Sequence, residues 1–189
     1  MKIYFFGGSF DPPHKAHKMI YKYCINYCDK FIFIPNRQSP GKAIVHASKQ
    51  NRIQMLKLLI DTQNISKVSI DDFELNSMDK PNYTIDTILY LKSKFKGASL
   101  NMIIGGDQYN NLIHWKNYND IIEQVNIVCF KRKGFKKRES FDATIIDFNY
   151  DISSTKIKMK LTNNKPDDIK DYLTEKVYNY IINKDLYRD

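Results

Sequence analysis

The sequence predicts an α/β fold, a doubly wound parallel sheet covered on both faces. Three observations lead there. Short continuous apolar runs recur along the chain, as strands buried on both faces require. The segments between them carry apolar residues at spacings of three and four, the mark of amphipathic helices. Two of the runs end in glycine pairs, Gly7-Gly8 and Gly105-Gly106, where a strand exit must turn tightly.

Each element follows in order. Lys2–Phe6 is the first buried strand. Pro13 stands where a helix starts, and His14 through Cys28 is compatible with that helix. Phe31–Ile34 is a second strand, stopped by Pro35. Asn36–Ala47 holds Pro40 and Gly41 and reads as a loop. Ile53, Leu56 and Ile60, widened by Met55 and Leu59, form the stripe of the next helix. Val68–Leu75 alternates enough for a strand, and Tyr83–Phe95 carries Ile85, Ile88, Leu89 and Leu91 at helical spacing. Leu100–Ile104 is another strand. Ile121–Gln124 belongs to a short helix, Val125–Phe130 is a strand, and Thr144–Phe148 is a weak last one. Ser153–Leu161 and Asp167–Asn183 read as helices. In the final one Ile169, Tyr172, Leu173, Val177, Tyr180 and Ile181 make the stripe.

Such alternation implies right-handed crossovers and one sheet. With 189 residues and no internal repeat or linker, positions 1–189 read as a single Rossmann-like domain with a small C-terminal helical segment. Ligands of open sheets bind beyond the carboxyl ends of the strands, so the two glycine-pair exits are the places to look.

Composition narrows the class. Nothing approaches the roughly 18 consecutive apolar residues of a membrane span. The three cysteines, Cys24, Cys28 and Cys129, form no CxxC pair, which argues against a disulfide framework or a zinc knuckle and fits reduced thiols in the cytoplasm. A net charge of +9 suits a polyanionic partner, nucleic acid or small phosphates. The same excess follows from an AT-rich coding bias toward Lys and Asn, so charge alone does not decide between them.

The segment from Gly7 to His17 follows a strand and opens a helix. Gly7 and Gly8 let the backbone approach a ligand, Ser9 and Phe10 continue the loop, and a helix start favours phosphate. His14 and His17 lie three apart, on one face of the first turn. Two of only four histidines in the chain therefore stand at one strand-to-helix exit. A second helix start, Ile152-Ser153-Ser154-Thr155-Lys156-Ile157-Lys158, offers serine caps and outward N–H groups.

The first segment resembles the signature Gly-Gly-Ser/Thr-Phe-Asp-Pro-x-His-x-Gly-His of the HxGH nucleotidyltransferase superfamily, with Ala16 in place of the glycine. The second resembles that superfamily's Ile-Ser-Ser-Thr-x-Ile-Arg, with Lys158 in place of the arginine, which keeps the charge and loses the bidentate fork. Further segments resemble nicotinate mononucleotide adenylyltransferases in particular. Pro35–Lys42 is similar to their Pro-x4-Pro-His-Lys loop, with Gly41 for the histidine, and Arg52 stands at the matching arginine. Tyr83-Thr84-Ile85-Asp86-Thr87 and Ile103-Ile104-Gly105-Gly106-Asp107 match two more motifs, and Trp115 follows. The likeness runs in order from Lys2 to about Tyr187.

What the resemblance implies is adenylyl transfer from ATP to nicotinate mononucleotide, with nicotinamide mononucleotide as a second acceptor. Mg²⁺ is expected to ride on the phosphates, with no metal site of the protein's own. The resemblance assigns His14, His17 and Lys158 to catalysis. Gly7, Gly8, Ser9, Phe10, Asp107, Ile152, Ser153, Ser154 and Lys158 are assigned to ATP, and Lys42, Tyr83, Thr84, Trp115 and Arg132 to the mononucleotide. Ordinary roles stay open beside these: Trp115 suits a core, Thr84 a helix start, and Asp107 a cap before Gln108. Apolar edge residues serve cores and interfaces alike, so a homo-oligomer stays open. The alternatives are a phosphopantetheine adenylyltransferase or a cytidylyltransferase, a nucleic-acid-binding module built on the basic stretch Lys131–Arg138, and a nucleotide sensor without turnover.

Overall fold

In a computed structural model, residues 1–38, 45–77, 82–132, 134–137, 141–163 and 165–188 are described. Six strands, all parallel, make one sheet: β1 (Lys2–Gly8), β2 (Lys30–Pro35), β3 (Val68–Ile70), β4 (Ser99–Gly105), β5 (Asn126–Lys131) and β6 (Ala143–Asp147). Their spatial order is β3-β2-β1-β4-β5-β6. The chain winds outward one way from β1 and then returns to wind the other way from β4. The topological switch point lies between those two strands, which are paired from Lys2↔Ser99 to Phe6↔Ile103.

Period-two alternation sorts the strand side chains onto two cores. Tyr4, Phe31, Phe33, Ile103, Val128 and Phe130 face one of them. Ile3, Phe5, Ile32, Ile34, Met102, Ile104, Ile127 and Cys129 face the other. Residues of α1 (Lys15–Cys24), α2 (Lys49–Leu59), α7 (Ser154–Thr162) and α8 (Glu175–Asn183) fill the first. Residues of α4 (Thr84–Lys94), α5 (Gly106–Asn111) and α6 (Tyr118–Gln124) fill the second. No helix among the described residues is long and apolar enough to cross a membrane.

Four expectations from the sequence change. The first helix ends at Cys24, because the Asn26 amide donates to the carbonyls of Lys22 and Tyr23 and draws the chain into a turn. Cys24 and Cys28 both pack in the core, where burial raises their thiol pKa values. Val68–Leu75 is a strand only to Ile70. Asp71 then accepts from the Phe73 amide at 3.1 Å and starts the four-residue helix α3 (Phe73–Asn76). The last helical stretch divides into a 3₁₀ turn at Asp167–Ile169 and α8, because the Thr174 hydroxyl caps the Val177 amide. Ile169, Leu173, Val177 and Ile181 nevertheless stay on one buried line. In α2 the inward face includes Arg52 and leaves Ile53 half-buried.

Candidate active site

β1 leaves the sheet at Gly8, and the chain passes through Ser9 and Phe10 into α1. An added Cβ at Gly7 would meet nothing within 4 Å, whereas at Gly8 it would lie 3.2 Å from the Phe10 ring. A side chain at Gly8 would press on the Phe10 ring, whereas Gly7 leaves space. Phe10 has a φ of 49°, a left-handed conformation that costs a non-glycine residue about 1–3 kcal/mol. Packing offsets that cost. Its ring is buried edge-on against Phe6, Phe33 and His17 at centroid distances of 5.6, 5.4 and 5.0 Å.

His14 sits immediately before α1, and its ring stacks on His17 at 3.7 Å. The His14 amide donates to His17 Nδ1 at 3.1 Å, so the other nitrogen of His17, Nε2, carries its proton. His14 is 2% exposed, and its Nδ1 has no hydrogen-bond partner among the described residues. Burial, helped by the neighbouring Arg132 cation, pulls its pKa down to about 3, so the ring is neutral at neutral pH.

The other helix start, that of α7, meets this one. Ser154 Oγ donates to the Pro12 carbonyl at 2.9 Å, and Ser153 Oγ accepts from the Lys156 amide. Both hydroxyls assigned to ATP are thus engaged within the protein: one ties the two loops together and the other caps the helix. Ser153, Ser154 and Thr155 of this helix start line the cleft. Lys158, one turn further, lies 3.0 Å from Asp11 Oδ2.

Asp11 is the hub of this region. It is 1% exposed and accepts from the His46 and Ala47 amides at 3.0 Å each, from Lys158, and from the Tyr187 hydroxyl at 2.9 Å. Burial alone would raise its pKa. The two amides and the lysine outweigh burial, and the carboxyl stays below its ordinary value.

All of this opens into one cleft of about 580 Å³ at the switch point. Of the residues singled out from the sequence, Gly7, Gly8, Ser9, Phe10, His14, His17, Asp107, Arg132, Ser153, Ser154 and Lys158 line it. Asp107 comes from the first turn of α5, exposed and accepting from the Gln108 side chain. A helix here stood in the sequence only as the ordinary reading of Asp107, a cap before Gln108; in the structure Gly105 holds the cap position. α5 begins at Gly106, whose added Cβ would fall 2.6 Å from Phe135, so the second glycine of that pair makes room for an aromatic ring.

The cleft does not gather every assigned residue. Arg132, assigned to the mononucleotide, lines it beside His14 and α7. Ile152 is buried in the core and is not among the residues lining the cleft. Arg52 reaches no ligand space: it is 3% exposed and donates to the Ser9 and Asn36 carbonyls, both at 2.7 Å, clamping the ends of β1 and β2. Tyr83, Thr84 and Trp115 are not on the cleft wall. Tyr83 precedes α4 and, like Trp115, packs half-buried at the margin of the second core, with the Lys116 ammonium 4.2 Å from the Tyr83 ring centre. Lys42 lies outside the described residues. Sequence reasoning gave no role to Asp11, His46 or Tyr187. Asp11 stood in the matched signature without a role of its own, and partners 35 to 176 positions away leave no local pattern.

Comparison with known proteins agrees with this geometry. A family model described as cytidylyltransferase-like matches residues 5–160. A probable nicotinate-nucleotide adenylyltransferase of Clostridium tetani is 35% identical over 199 residues, covering 97% of each chain. The nicotinate-nucleotide adenylyltransferase of Bacillus subtilis is 30% identical over 190 residues, covering 98% of each. The structure of Plasmodium falciparum nicotinic acid mononucleotide adenylyltransferase complexed with NaAD superposes with a TM-score of 0.82, covering 98% of this chain and 97% of that one. At 23% identity that likeness bears on the fold. The chain therefore belongs to the cytidylyltransferase-like family and, within it, to the nicotinate-nucleotide adenylyltransferases.

Proposed function

We propose that the protein transfers the adenylyl group of ATP to the 5′-phosphate of nicotinate mononucleotide, releasing pyrophosphate and forming deamido-NAD. The observation that carries this reading is the convergence of two helix beginnings, His14 and His17 at α1 and Ser153–Thr155 with Lys158 at α7, on a single cleft at the β1/β4 switch point. Donors aimed into a concave, partly desolvated space suit a polyphosphate. The named relatives support the choice of acceptor.

The acceptor phosphate is already anionic, so attack on the α-phosphorus needs neither a general base nor a covalent intermediate. The protein's work is alignment, able to supply up to roughly 7–11 kcal/mol of the barrier, and stabilisation of charge on the departing pyrophosphate. His17 offers Nε2–H, neutral His14 a single N–H, and α7 its first amides and the Lys158 ammonium. Gly7 leaves room for the phosphates to approach the backbone, and Asp107 accepts from ribose hydroxyls. Lys42, Tyr83, Thr84, Trp115 and Arg132 are the proposed mononucleotide set, of which Arg132 lines the cleft. α4, which opens at Thr84, starts on the cleft's edge of the sheet, because its far end leads into the beginning of β4.

Mg²⁺ fits as a passenger on the triphosphate. Asp11, the buried carboxylate nearest the phosphate-binding helix starts, is committed to four donors. When bound, the ion neutralises phosphate charge. The free, buried cysteines support a reducing, cytoplasmic setting.

The test is direct. The purified protein, given ATP and nicotinate mononucleotide, should release pyrophosphate and deamido-NAD in equal amounts, with slower turnover on nicotinamide mononucleotide. Pyrophosphate release with phosphopantetheine and none with either mononucleotide would overturn the acceptor. Salt-sensitive binding of bulk RNA without ATP turnover would overturn the whole reading.

A further inference from the structure

We infer that His46 is a positioning residue for Lys158: its imidazole and the Asp11 carboxylate hold the ammonium from two sides and direct its third N–H at a phosphate oxygen of ATP. The inference rests on the function proposed above.

Lys158 Nζ lies 3.0 Å from Asp11 Oδ2 and 3.2 Å from His46 Nδ1. An ammonium has three donors and no acceptor, so in the inferred arrangement Nδ1 of His46 accepts from it and the ring N–H is Nε2; the same Nδ1 lies 3.7 Å from Asp11 Oδ2. The contact is an assembled one. His46 is 112 positions from Lys158 in sequence, and its backbone amide donates at 3.0 Å to the same carboxylate oxygen that the lysine touches. The Ala47 amide takes the other oxygen at 3.0 Å. Asp11 thus fixes the backbone that carries the imidazole as well as the ammonium that the imidazole meets.

Chemistry explains why this position needs such a partner. A guanidinium at 158 would bring five donors in a rigid fork and could bridge a carboxylate and a phosphate unaided. An ammonium is a compact charge on a flexible stem, free to rotate about its last bond. Asp11 alone fixes one of its three N–H directions. A second acceptor fixes another, and the third then has a defined direction. Lys158, Asp11, Ser154 and His14 all line the cleft, so that direction has a phosphate-sized space to meet. The His46 side chain is 59% exposed, so its removal takes little from the core.

The test is a double-mutant cycle read by calorimetric ATP binding in the presence of Mg²⁺. His46→Ala should weaken ATP binding about fivefold to tenfold, with the thermal unfolding midpoint unchanged. His46→Asn, whose amide oxygen stands where Nδ1 does, should restore binding to within about threefold of the unaltered protein. In a Lys158→Ala background, His46→Ala should cost nothing more. Unaltered binding in His46→Ala, failure of Asn to outperform Ala, or multiplying losses in the double variant would each overturn the inference. Failure of the functional reading shows separately, as no deamido-NAD from the unaltered protein, whichever way the binding cycle falls.

Discussion

The two helix beginnings that share the cleft are built on opposite plans. At α1 the side chains are the donors: His14 is buried with Nδ1 unpartnered among the described residues, and His17 has its tautomer set by the His14 amide. At α7 both hydroxyls are engaged within the protein: Ser153 accepts a cap bond from the Lys156 amide and Ser154 donates to the Pro12 carbonyl. In the proposed function the first end gives the ligand imidazole N–H groups. The second gives it backbone amides and a cation. Equal proximity to a ligand therefore does not mean equal chemical duty. Substitutions at the two ends should fail in different ways.

The largest effect belongs to α1. His17→Ala should lower kcat at least about 100-fold, because a donor to developing charge is lost, while the lost contacts to Phe10 and the His14 amide lower the unfolding midpoint without unfolding the protein at assay temperature. Near-normal turnover in steady-state assays would erase the contrast between the two ends.

α4, a third helix at the same edge of the sheet, supplies a control for a purely structural carboxyl group. Its Thr87 hydroxyl donates to Glu74 Oε1 at 2.6 Å, and Glu74 is 8% exposed. Burial raises the Glu74 pKa to about 7, with Asp86 adding to the push and the Thr87 bond opposing it. The native state thus holds this proton more tightly than the unfolded chain does. Its stabilising contribution is full below pH 4.5 and is lost as pH rises through about 7. Glu74→Gln should gain stability relative to the unaltered protein between pH 5 and pH 8, by an amount on the order of 2–3 kcal/mol. Urea unfolding at the two pH values measures it. A difference that does not change with pH would show that burial is not governing this carboxyl.

Smaller effects separate the two serines of α7. Ser154→Ala removes the tie between loops and should lower kcat/KM for ATP about tenfold, with a stability loss of about 1 kcal/mol. Ser153→Ala loses only a cap. It should cost about 1 kcal/mol in urea unfolding and leave kcat/KM within about threefold. If the Ser153 variant loses activity as the His17 variant does, its hydroxyl meets substrate and the plan assigned to α7 is wrong.

The strands and the location of the cleft were legible in the sequence because both depend on local pattern. Phe31–Ile34 is apolar without interruption and Leu100–Ile104 is broken only by Asn101, whose amide donates to the Ile3 and Ser99 carbonyls within the sheet, and glycine pairs mark the exits of β1 and β4. The histidine pair needed only helical spacing to be placed on one face. What stayed hidden depends on pairing across the chain. Arg52 looks like any basic helix residue until two carbonyls from separate strand ends turn it inward. Lys158 looks like a ligand-facing cation, yet a carboxylate 147 positions earlier shares it. Ser153 and Ser154 look equivalent, and only the location of the Pro12 carbonyl separates their duties. The end of β3 was misjudged because Asp71 reads as an alternating polar residue, while in the fold it starts a short helix.

The hydroxyl of Tyr187 closes the circle of donors around Asp11 from 176 positions downstream. Vectorial synthesis therefore delivers the first loop long before its last support. While the ribosome still holds the final turns, Asp11 lacks a donor and Lys158 has a less well-fixed counterion. Loss of the Tyr187 hydroxyl therefore reaches the proposed ATP site through Asp11 and Lys158.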